Sequence, residues 1–175
     1  MGWLTKGSIR PIHIARWGGQ IALFLILLWG AEWWLSREVV RGEMPAFVAT
    51  TIEGEQFNSR EFAEQPWLLH LWASWCPVCE LEHASMESLA VDVPLMSIAM
   101  SSGSLNEVAS YMAEEQLSYA VINDPEAALS RALGVFSVPV TLVVDGHNQI
   151  RFVTRGYTSE WGLRGRLWLA SWLQD

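Results

Sequence analysis

Two residues of this sequence, Cys76 and Cys79, have the type and spacing for redox chemistry. They are the two cysteines of the 175-residue chain, and they lie in the run WASWCPVC at 72–79, directly after an apolar run of strand length. A C-x-x-C pair that opens a helix holds its sulfurs close enough to form a disulfide, and this context is typical of thiol–disulfide exchange. Two cysteines are too few for a four-thiolate zinc site.

The two sulfurs should play different roles because they occupy different places on the predicted helix. The N–H groups and the dipole at a helix N-terminus favour a negatively charged thiolate. We expect Cys76 to be the more exposed sulfur and the nucleophile, and Cys79, one turn in, to resolve the mixed disulfide. Pro77 suits the first helical turn, since its missing N–H would be unpaired there in any case.

A second feature is the dipeptide Val138-Pro139, which lies just before the predicted strand at 141–144. X–Pro bonds adopt the cis form far more often than other peptide bonds. Pro139 is therefore a candidate for a cis peptide bond that leads into a buried strand.

The elements that must position these residues alternate between strand-like and helix-like runs, which predicts an α/β domain. In the last helix, Trp161, Trp168 and Trp172 recur at i, i+7 and i+11, and we expect this stripe to face the core. The predicted strands are 47–51, 67–72, 95–100, 119–122, 141–144 and 150–154. The predicted helices are 79–89, 105–116, 126–133 and 159–172.

The N-terminal residues have the pattern of a membrane segment. Residues 21–31 read IALFLILLWGA without a charge, and the apolar stretch extends over 17–35 with tryptophans at both ends. Roughly 20 apolar residues span a bilayer, and aromatic residues favour its two interfaces. We predict an uncleaved signal anchor at 17–35; a cleaved signal peptide and a buried amphipathic helix are the alternatives.

The distribution of charge predicts which side of the membrane the domain occupies. Lys6, Arg10 and Arg16 precede the span, and the positive-inside rule places them in the cytoplasm. The sequence thus divides into a basic leader (1–16), the span (17–35), a linker (36–46) and an extracytoplasmic domain (47–175). Residues 42–175 carry six basic and 17 acidic side chains, a balance that disfavours nucleic acid as a partner.

The runs at 72–79 and 138–139 resemble the two signature motifs of the thioredoxin superfamily. Over residues 44–173 the chain is similar to the membrane-anchored TlpA group, and the segments 156–164 and 123–125 resemble the suppressor of copper sensitivity protein D branch. The resemblance implies a thioredoxin fold, with a central mixed sheet flanked by helices, and a periplasmic domain held by a single span in the inner membrane.

The same resemblance implies how the site works. Pro139 would be cis and face Cys76, the backbone of Val138 would hydrogen-bond an incoming peptide, and Trp75 and Pro77 would contact the substrate. No cofactor is needed beyond the Cys76–Cys79 disulfide. The implied partners are client-protein thiols or disulfides and a membrane thiol-relay protein that donates electrons. The client is open between a copper-stress protein, an apocytochrome c and misoxidised proteins in general.

Two residues near the cysteines, His70 and Glu82, are candidates for proton transfer. Thioredoxins place a buried aspartate six residues before the first cysteine, where this chain has His70. That histidine is either a proton acceptor for Cys79 or a buried neutral residue of the strand. Glu82 matches a glutamate of TlpA-type proteins and is a second candidate acceptor, whereas the proline that follows it in that group is Ala84 here.

The residue before the second cysteine bears on the direction of exchange. In strongly oxidising members of the superfamily it is a histidine that helps to hold the thiolate, whereas Val78 donates no hydrogen bond. A less stabilised thiolate makes the dithiol a better reductant. We therefore predict a protein that reduces or isomerises disulfides rather than the main oxidant.

The alternative from another functional class is a copper-binding module. Cys76, Cys79 and His83 fall along one predicted helix together with Met86, and Cu(I) favours thiolate and thioether ligands. In the interpretation without a metal, Met86 is a core residue and His83 is exposed to solvent.

Overall fold

A computed structural model of the chain describes residues 39–61 and 64–173. The predicted leader at 1–16, the predicted span at 17–35 and the first three residues of the predicted linker lie outside these ranges. Within them, no helix has both the length and the apolar character needed to cross a bilayer.

The described residues form eight strands. They are β1 (Gly42–Glu43), β2 (Val48–Thr50), β3 (Gln56–Asn58), β4 (Trp67–Trp72), β5 (Leu95–Met100), β6 (Val121–Asp124), β7 (Val140–Val144) and β8 (Gln149–Arg155). Six of them form a mixed sheet in the order β1-β8-β7-β4-β5-β6, while β2 and β3 form a separate hairpin. The central strand β4 pairs in parallel with β5 and antiparallel with β7. All six residues of β4 are buried, as expected for a strand covered on both faces.

The described residues form five helices, four of them between strands and one after the last strand. They are α1 (Pro77–Glu80), α2 (His83–Ala90), α3 (Leu105–Glu114), α4 (Ala128–Ala132) and α5 (Glu160–Trp172). Side chains of α2, α3 and α5 pack with Leu68, Trp72 and both cysteines on one face of the sheet. Leu69 and Leu71 point to the opposite face, where they pack with Leu133 after α4 and with Phe57 of the hairpin. The α/β layout predicted from the sequence is confirmed.

The helix predicted over 79–89 is interrupted. It is divided into α1 and α2, with Leu81 and Glu82 between them. The amide of Cys79 donates to the carbonyl oxygen of Cys76 and the amide of Glu82 to that of Cys79, so these bonds join residues three apart rather than four. This tighter winding ends the first helix after a single turn.

At two of the boundaries that differ from the prediction, pairing and burial extend further than the local pattern shows. The strand predicted at 119–122 lies at 121–124, since Asn123 and Asp124 continue the pairing with β5. The domain also begins before residue 47. Val39 and Met44 are buried, and the short strand β1 pairs with β8 although it lies in the predicted linker.

The tryptophan stripe of the last helix does not face the core, so that prediction is wrong. Trp161, Trp168 and Trp172 are 81%, 60% and 65% exposed, whereas Leu163 is fully buried and Leu167 nearly so. The periodicity correctly puts the three tryptophans on one face. The smaller side chains opposite them fill the space against the sheet.

Neighbouring positions on α5 test this orientation. Truncating Leu163 to alanine leaves a cavity and should lower the free energy of unfolding by about 2–5 kcal/mol. Trp161→Ala removes an exposed ring and should change it by less than about 1 kcal/mol. Urea unfolding followed by far-ultraviolet circular dichroism measures both values, and a larger loss for Trp161→Ala than for Leu163→Ala would contradict the orientation.

Candidate active site

The site begins where β4 ends, because the chain turns there into α1. Cys76 is the N-cap residue of α1 and Pro77 is its first residue, as the sequence predicts. A disulfide joins Cys76 to Cys79, with the two Cα atoms 5.3 Å apart. Cys79 is fully buried and Cys76 is 6% exposed, so an incoming thiol reaches the sulfur of Cys76 first.

Three hydrogen bonds hold the turn that precedes Cys76. The amide of Cys76 donates to the carbonyl oxygen of Ala73 at 3.1 Å. The amide of Ser74 donates to Ser102 Oγ at 3.0 Å, and Trp75 Nε1 donates to the carbonyl oxygen of Ser101 at 3.0 Å. The loop after β5 therefore fixes the approach to the nucleophile.

The predicted cis bond is present between Val138 and Pro139. The carbonyl oxygen of Val138 lies 3.9 Å from Cys76 Sγ. Pro139 accepts a hydrogen bond from the amide of Gly156 at 2.9 Å, which ties this loop to the end of β8. The fold thus brings together two motifs 62 residues apart in the chain.

His70 is fully buried and lies on the same face of β4 as Trp72. Its Nδ1 pairs with Thr141 Oγ1 at 2.9 Å, and its Nε2 has no hydrogen-bond partner among the described residues. Burial, and to a lesser degree the charge of His83, lowers the pKa of His70 to about 3. A base this weak is a poor proton acceptor at neutral pH, so the geometry favours the buried neutral residue over the acceptor.

Glu82 is also fully buried, in the break between α1 and α2. One carboxylate oxygen accepts the amide of Thr158 at 2.5 Å, and the other has no hydrogen-bond partner among the described residues. Burial raises the pKa of Glu82 to about 7, although the hydrogen bond from Thr158 opposes the shift. A carboxyl group poised near neutrality can take up and release a proton there.

His83 is neither solvated nor arranged with the cysteines as a metal ligand. It is 5% exposed, its Nε2 pairs with Tyr111 Oη at 3.0 Å and its Nδ1 with Tyr119 Oη at 3.1 Å. Burial lowers its pKa against the opposing charges of Glu80 and Glu87. No cluster of three or more metal-binding side chains occurs in the part of the chain that the structure describes. Met86 is a core residue, as the interpretation without a metal predicts.

The two tryptophans beside the motif have different environments. Trp72 is fully buried with the cysteines, donates from Nε1 to Ser97 Oγ at 3.2 Å and stacks on Tyr111 with ring centroids 5.5 Å apart. Trp75 is 60% exposed, so it does not shield the sulfurs from water as Trp72 does. Its ring is instead accessible to an incoming chain, and the substrate contact expected of it stays a prediction.

Two aromatic residues beside the site are not predicted from the sequence motifs. Phe136 lies two residues before Val138, and Tyr157 lies between Gly156, which bonds Pro139, and Thr158, which bonds Glu82. Both side chains are more than half exposed. Large apolar side chains in loops beside a reactive group are the signal that could have identified them. With Trp75 and the partly exposed Val78 they form what we call the apolar rim of the site.

Comparison with known proteins agrees with this geometry. The sequence profile named Redoxin matches residues 40–163. A thioredoxin-like protein of Haemophilus influenzae is 28% identical over 155 residues, covering 87% of this chain and 92% of the relative. The thiol:disulfide interchange protein DsbE of Escherichia coli is 26% identical over 166 residues, covering 85% and 86% respectively.

A solved structure shows the same fold. A secreted disulfide oxidoreductase of Mycobacterium tuberculosis, homologous to DsbE of Escherichia coli, superposes with a TM-score of 0.62 at 22% identity, covering 70% of this chain and 95% of that protein. The described domain therefore has the thioredoxin fold that the motifs imply.

Glu82 should make the stability of the protein depend on pH. Its folded-state pKa of about 7 exceeds the ordinary 4.5, so the folded protein binds this proton more tightly than the unfolded chain. The resulting stabilisation is complete below about pH 4.5 and is lost as the pH rises through 7. Glu82→Gln keeps an oxygen for Thr158 and cannot ionise. Relative to this variant, the free energy of unfolding of the wild type should fall by roughly 1–3 kcal/mol between pH 4.5 and pH 8.

The measurement is the free energy of unfolding of the oxidised proteins across that pH range. Glu80→Gln is the matched control, since Glu80 is exposed and only two residues away. A difference between wild type and Glu82→Gln that stays constant with pH would show that Glu82 does not titrate as described.

Proposed function

The chain belongs to the Redoxin family, and we propose that this thiol–disulfide oxidoreductase reduces the disulfides of client proteins outside the cytoplasm. The observation that carries the proposal is the position of Cys76. Cys76 is the more exposed cysteine of the pair, and its Sγ lies 3.9 Å from the backbone oxygen of Val138, beside the side chains of the apolar rim. An extended client segment that pairs with this backbone presents its own sulfur to Cys76.

The reduced protein performs two exchanges. The Cys76 thiolate attacks one sulfur of a client disulfide, so a mixed disulfide forms and one client thiolate leaves and takes up a proton. Cys79 then loses its proton and attacks the sulfur of Cys76, which expels the second client thiolate. The client gains two electrons, and the protein is left with the Cys76–Cys79 disulfide.

The proton of Cys79 needs an acceptor inside the protein because that thiol is fully buried. Of the two predicted candidates, Glu82 has a pKa of about 7 and His70 one of about 3. The amide of Glu82 also donates to the carbonyl oxygen of Cys79, which keeps the two residues on adjoining turns. We assign the role of acceptor to Glu82 and a structural role to His70.

The reducing direction is supported by weak stabilisation of the Cys76 thiolate. The amide of Cys79 is 3.3 Å from Cys76 Sγ, and α1 contributes only four residues to a helix dipole. Val78 supplies no donor, and the domain carries a large excess of acidic side chains. Each factor raises the energy of the thiolate and hence the tendency of the dithiol to give up electrons.

The proposed location rests on the N-terminal sequence. The uncharged run at 21–31 and the basic residues before it support a single span in the inner membrane, with the domain in the periplasm. A reductant in that compartment has to be reduced again after each reaction, so the proposal includes a membrane thiol-relay protein as electron donor. Its dithiol is oxidised as the Cys76–Cys79 disulfide is reduced.

The client class stays open between copper-stress proteins, cytochrome c apoproteins and misoxidised proteins in general. The segments 156–164 and 123–125 suggest the copper-sensitivity branch, whereas similarity to DsbE extends over most of the chain. The copper-binding alternative has less support, because both ring nitrogens of His83 pair with tyrosine hydroxyl groups.

Trapping the mixed disulfide tests the reaction. Cys79→Ser removes the resolving thiol, so the reduced variant should accumulate a covalent complex through Cys76 when it meets disulfide-bonded clients. Cys76→Ser is the matched control and should trap almost nothing, since its remaining sulfur is buried. Non-reducing electrophoresis and mass spectrometry detect the complexes. Equal trapping by both variants would rule out Cys76 as the nucleophile.

The apolar rim should govern client binding without changing the redox chemistry. Phe136→Ser and Tyr157→Ser remove exposed rings beside the site, and each should slow the reduction of insulin disulfides several-fold. Val91→Ser is the control, because Val91 is 86% exposed at the C-terminal end of α2. The potential of Cys76–Cys79 should stay the same in all three variants. Wild-type rates in both rim variants would refute this role.

A further inference from the structure

The exposed tryptophans of α5 lie on the side of the helix opposite to its buried side. At about 100° per residue, Trp161, Trp168 and Trp172 fall within a sector of about 40°. Ala170, at the centre of the buried side, is about 180° away. The rings of Trp168 and Trp172 contact each other, with centroids 5.7 Å apart. We call this sector, together with the exposed Leu169 and Leu173 beside it, the tryptophan face.

The tryptophan face carries no acidic side chain among the described residues and borders a basic pocket. This pocket of about 470 Å³ is lined by Arg41, Arg151 and Arg166 together with Ile150, Phe152 and Val153. Arg151 donates to the carbonyl oxygen of Leu173 at 2.9 Å, so it contacts the C-terminal end of α5. Arg166, a residue of α5, donates to the carbonyl oxygen of Gly162 at 2.8 Å.

The concentration of arginine at this edge stands out against the charge of the domain. Residues 42–175 contain six basic side chains against 17 acidic ones, and two of the six line this pocket. Arg151 forms an ion pair with Asp145, whereas Arg166 has no carboxylate partner among the ion pairs of the described residues. A cationic edge beside an apolar face suits an anionic, amphipathic surface.

The same edge of the sheet receives the chain from its N-terminal side. Strand β1 pairs with β8 through Gly42 and Ile150, and Ile150 lines the basic pocket. The predicted span ends at residue 35, so only residues 36–41 separate it from β1. In a chain anchored as proposed above, the basic pocket therefore lies at the edge of the domain that follows the span directly in the sequence.

We propose that the tryptophan face and the basic pocket form a membrane-contact surface that lies on an anionic phospholipid bilayer. Tryptophan rings favour the headgroup layer, because they combine a large apolar body with one N–H donor. Arginine binds phosphate through two parallel N–H bonds. The proposal rests on the membrane anchor of the proposed function and adds to it the side of the domain that touches lipid.

This orientation has a consequence for the reaction. Helix α5 begins at Glu160, two residues after Thr158, whose amide is bonded to buried Glu82. One end of the tryptophan face therefore lies next to the active site. A domain that rests on this face keeps its disulfide off the lipid itself but within reach of the proposed membrane-embedded electron donor.

Residue-resolved footprinting of the full-length protein tests the proposal. The oxidised chain is incorporated at one copy per nanodisc made of phosphatidylglycerol, and hydroxyl-radical modification of each tryptophan is read by mass spectrometry. Trp75 is the internal control, because it is as exposed as Trp168 but lies at the active site. We expect Trp161, Trp168 and Trp172 to be modified several-fold more slowly than Trp75.

Two comparisons separate lipid from other causes of protection. Phosphatidylcholine discs and the Arg166→Gln variant should both lower the protection, whereas Arg131→Gln, a change at an exposed arginine of α4, should not. Protection that appears only in discs holding two copies would show that a second copy covers the face and would overturn the proposal.

Two other outcomes would also overturn the proposal. Rates equal to that of Trp75 in single-copy discs would show that the face is in water. Failure of the chain to enter discs would remove the anchor on which the proposal depends. Neither outcome bears on the thiol exchange, which the trapping of mixed disulfides by Cys79→Ser reports separately.

Discussion

The antiparallel pairing of β4 with β7 is the constraint on which the site depends. Leu71 pairs with Val140, so the last residue of β4 lies beside the first residues of β7. The turn after β4 carries Cys76 and the turn before β7 carries Pro139, and the two turns must therefore meet at one edge of the sheet. The 3.9 Å approach of Cys76 Sγ to the oxygen of Val138 follows from this register.

Around that junction the protein buries two ionisable side chains that no opposite charge compensates in the described structure. Burial pushes both towards their neutral forms, His70 by lowering its pKa and Glu82 by raising it. Of these two groups, Glu82 keeps a pKa near neutrality, so it can exchange protons under ordinary conditions whereas His70 cannot. The same apolar surroundings and the acidic domain offer little to stabilise a thiolate, which links the electrostatics of the site to the direction of exchange.

Local patterns in the sequence predicted the redox motif, the central strands and the cis bond at Pro139, since each depends on neighbouring residues. The position of the tryptophan stripe was predicted wrongly, because periodicity shows which residues share a face but not which face meets the sheet. The environment of His83 could not be read from the chain, since Tyr111 and Tyr119, which pair with it, come from distant segments. The local sequence predicts linker at strand β1, because its two residues are held by pairing with β8 rather than by an apolar pattern.

The reduction potential of the Cys76–Cys79 pair tests the central claim most directly. The metal-free full-length protein is equilibrated with defined ratios of reduced and oxidised glutathione, and the fraction of the disulfide is measured at each ratio. If the Cys76 thiolate is as weakly stabilised as its surroundings indicate, the potential should lie near the value of about −270 mV found for thioredoxin. A value near the −120 mV or so of the strong oxidant DsbA would contradict the account and make the protein a disulfide donor.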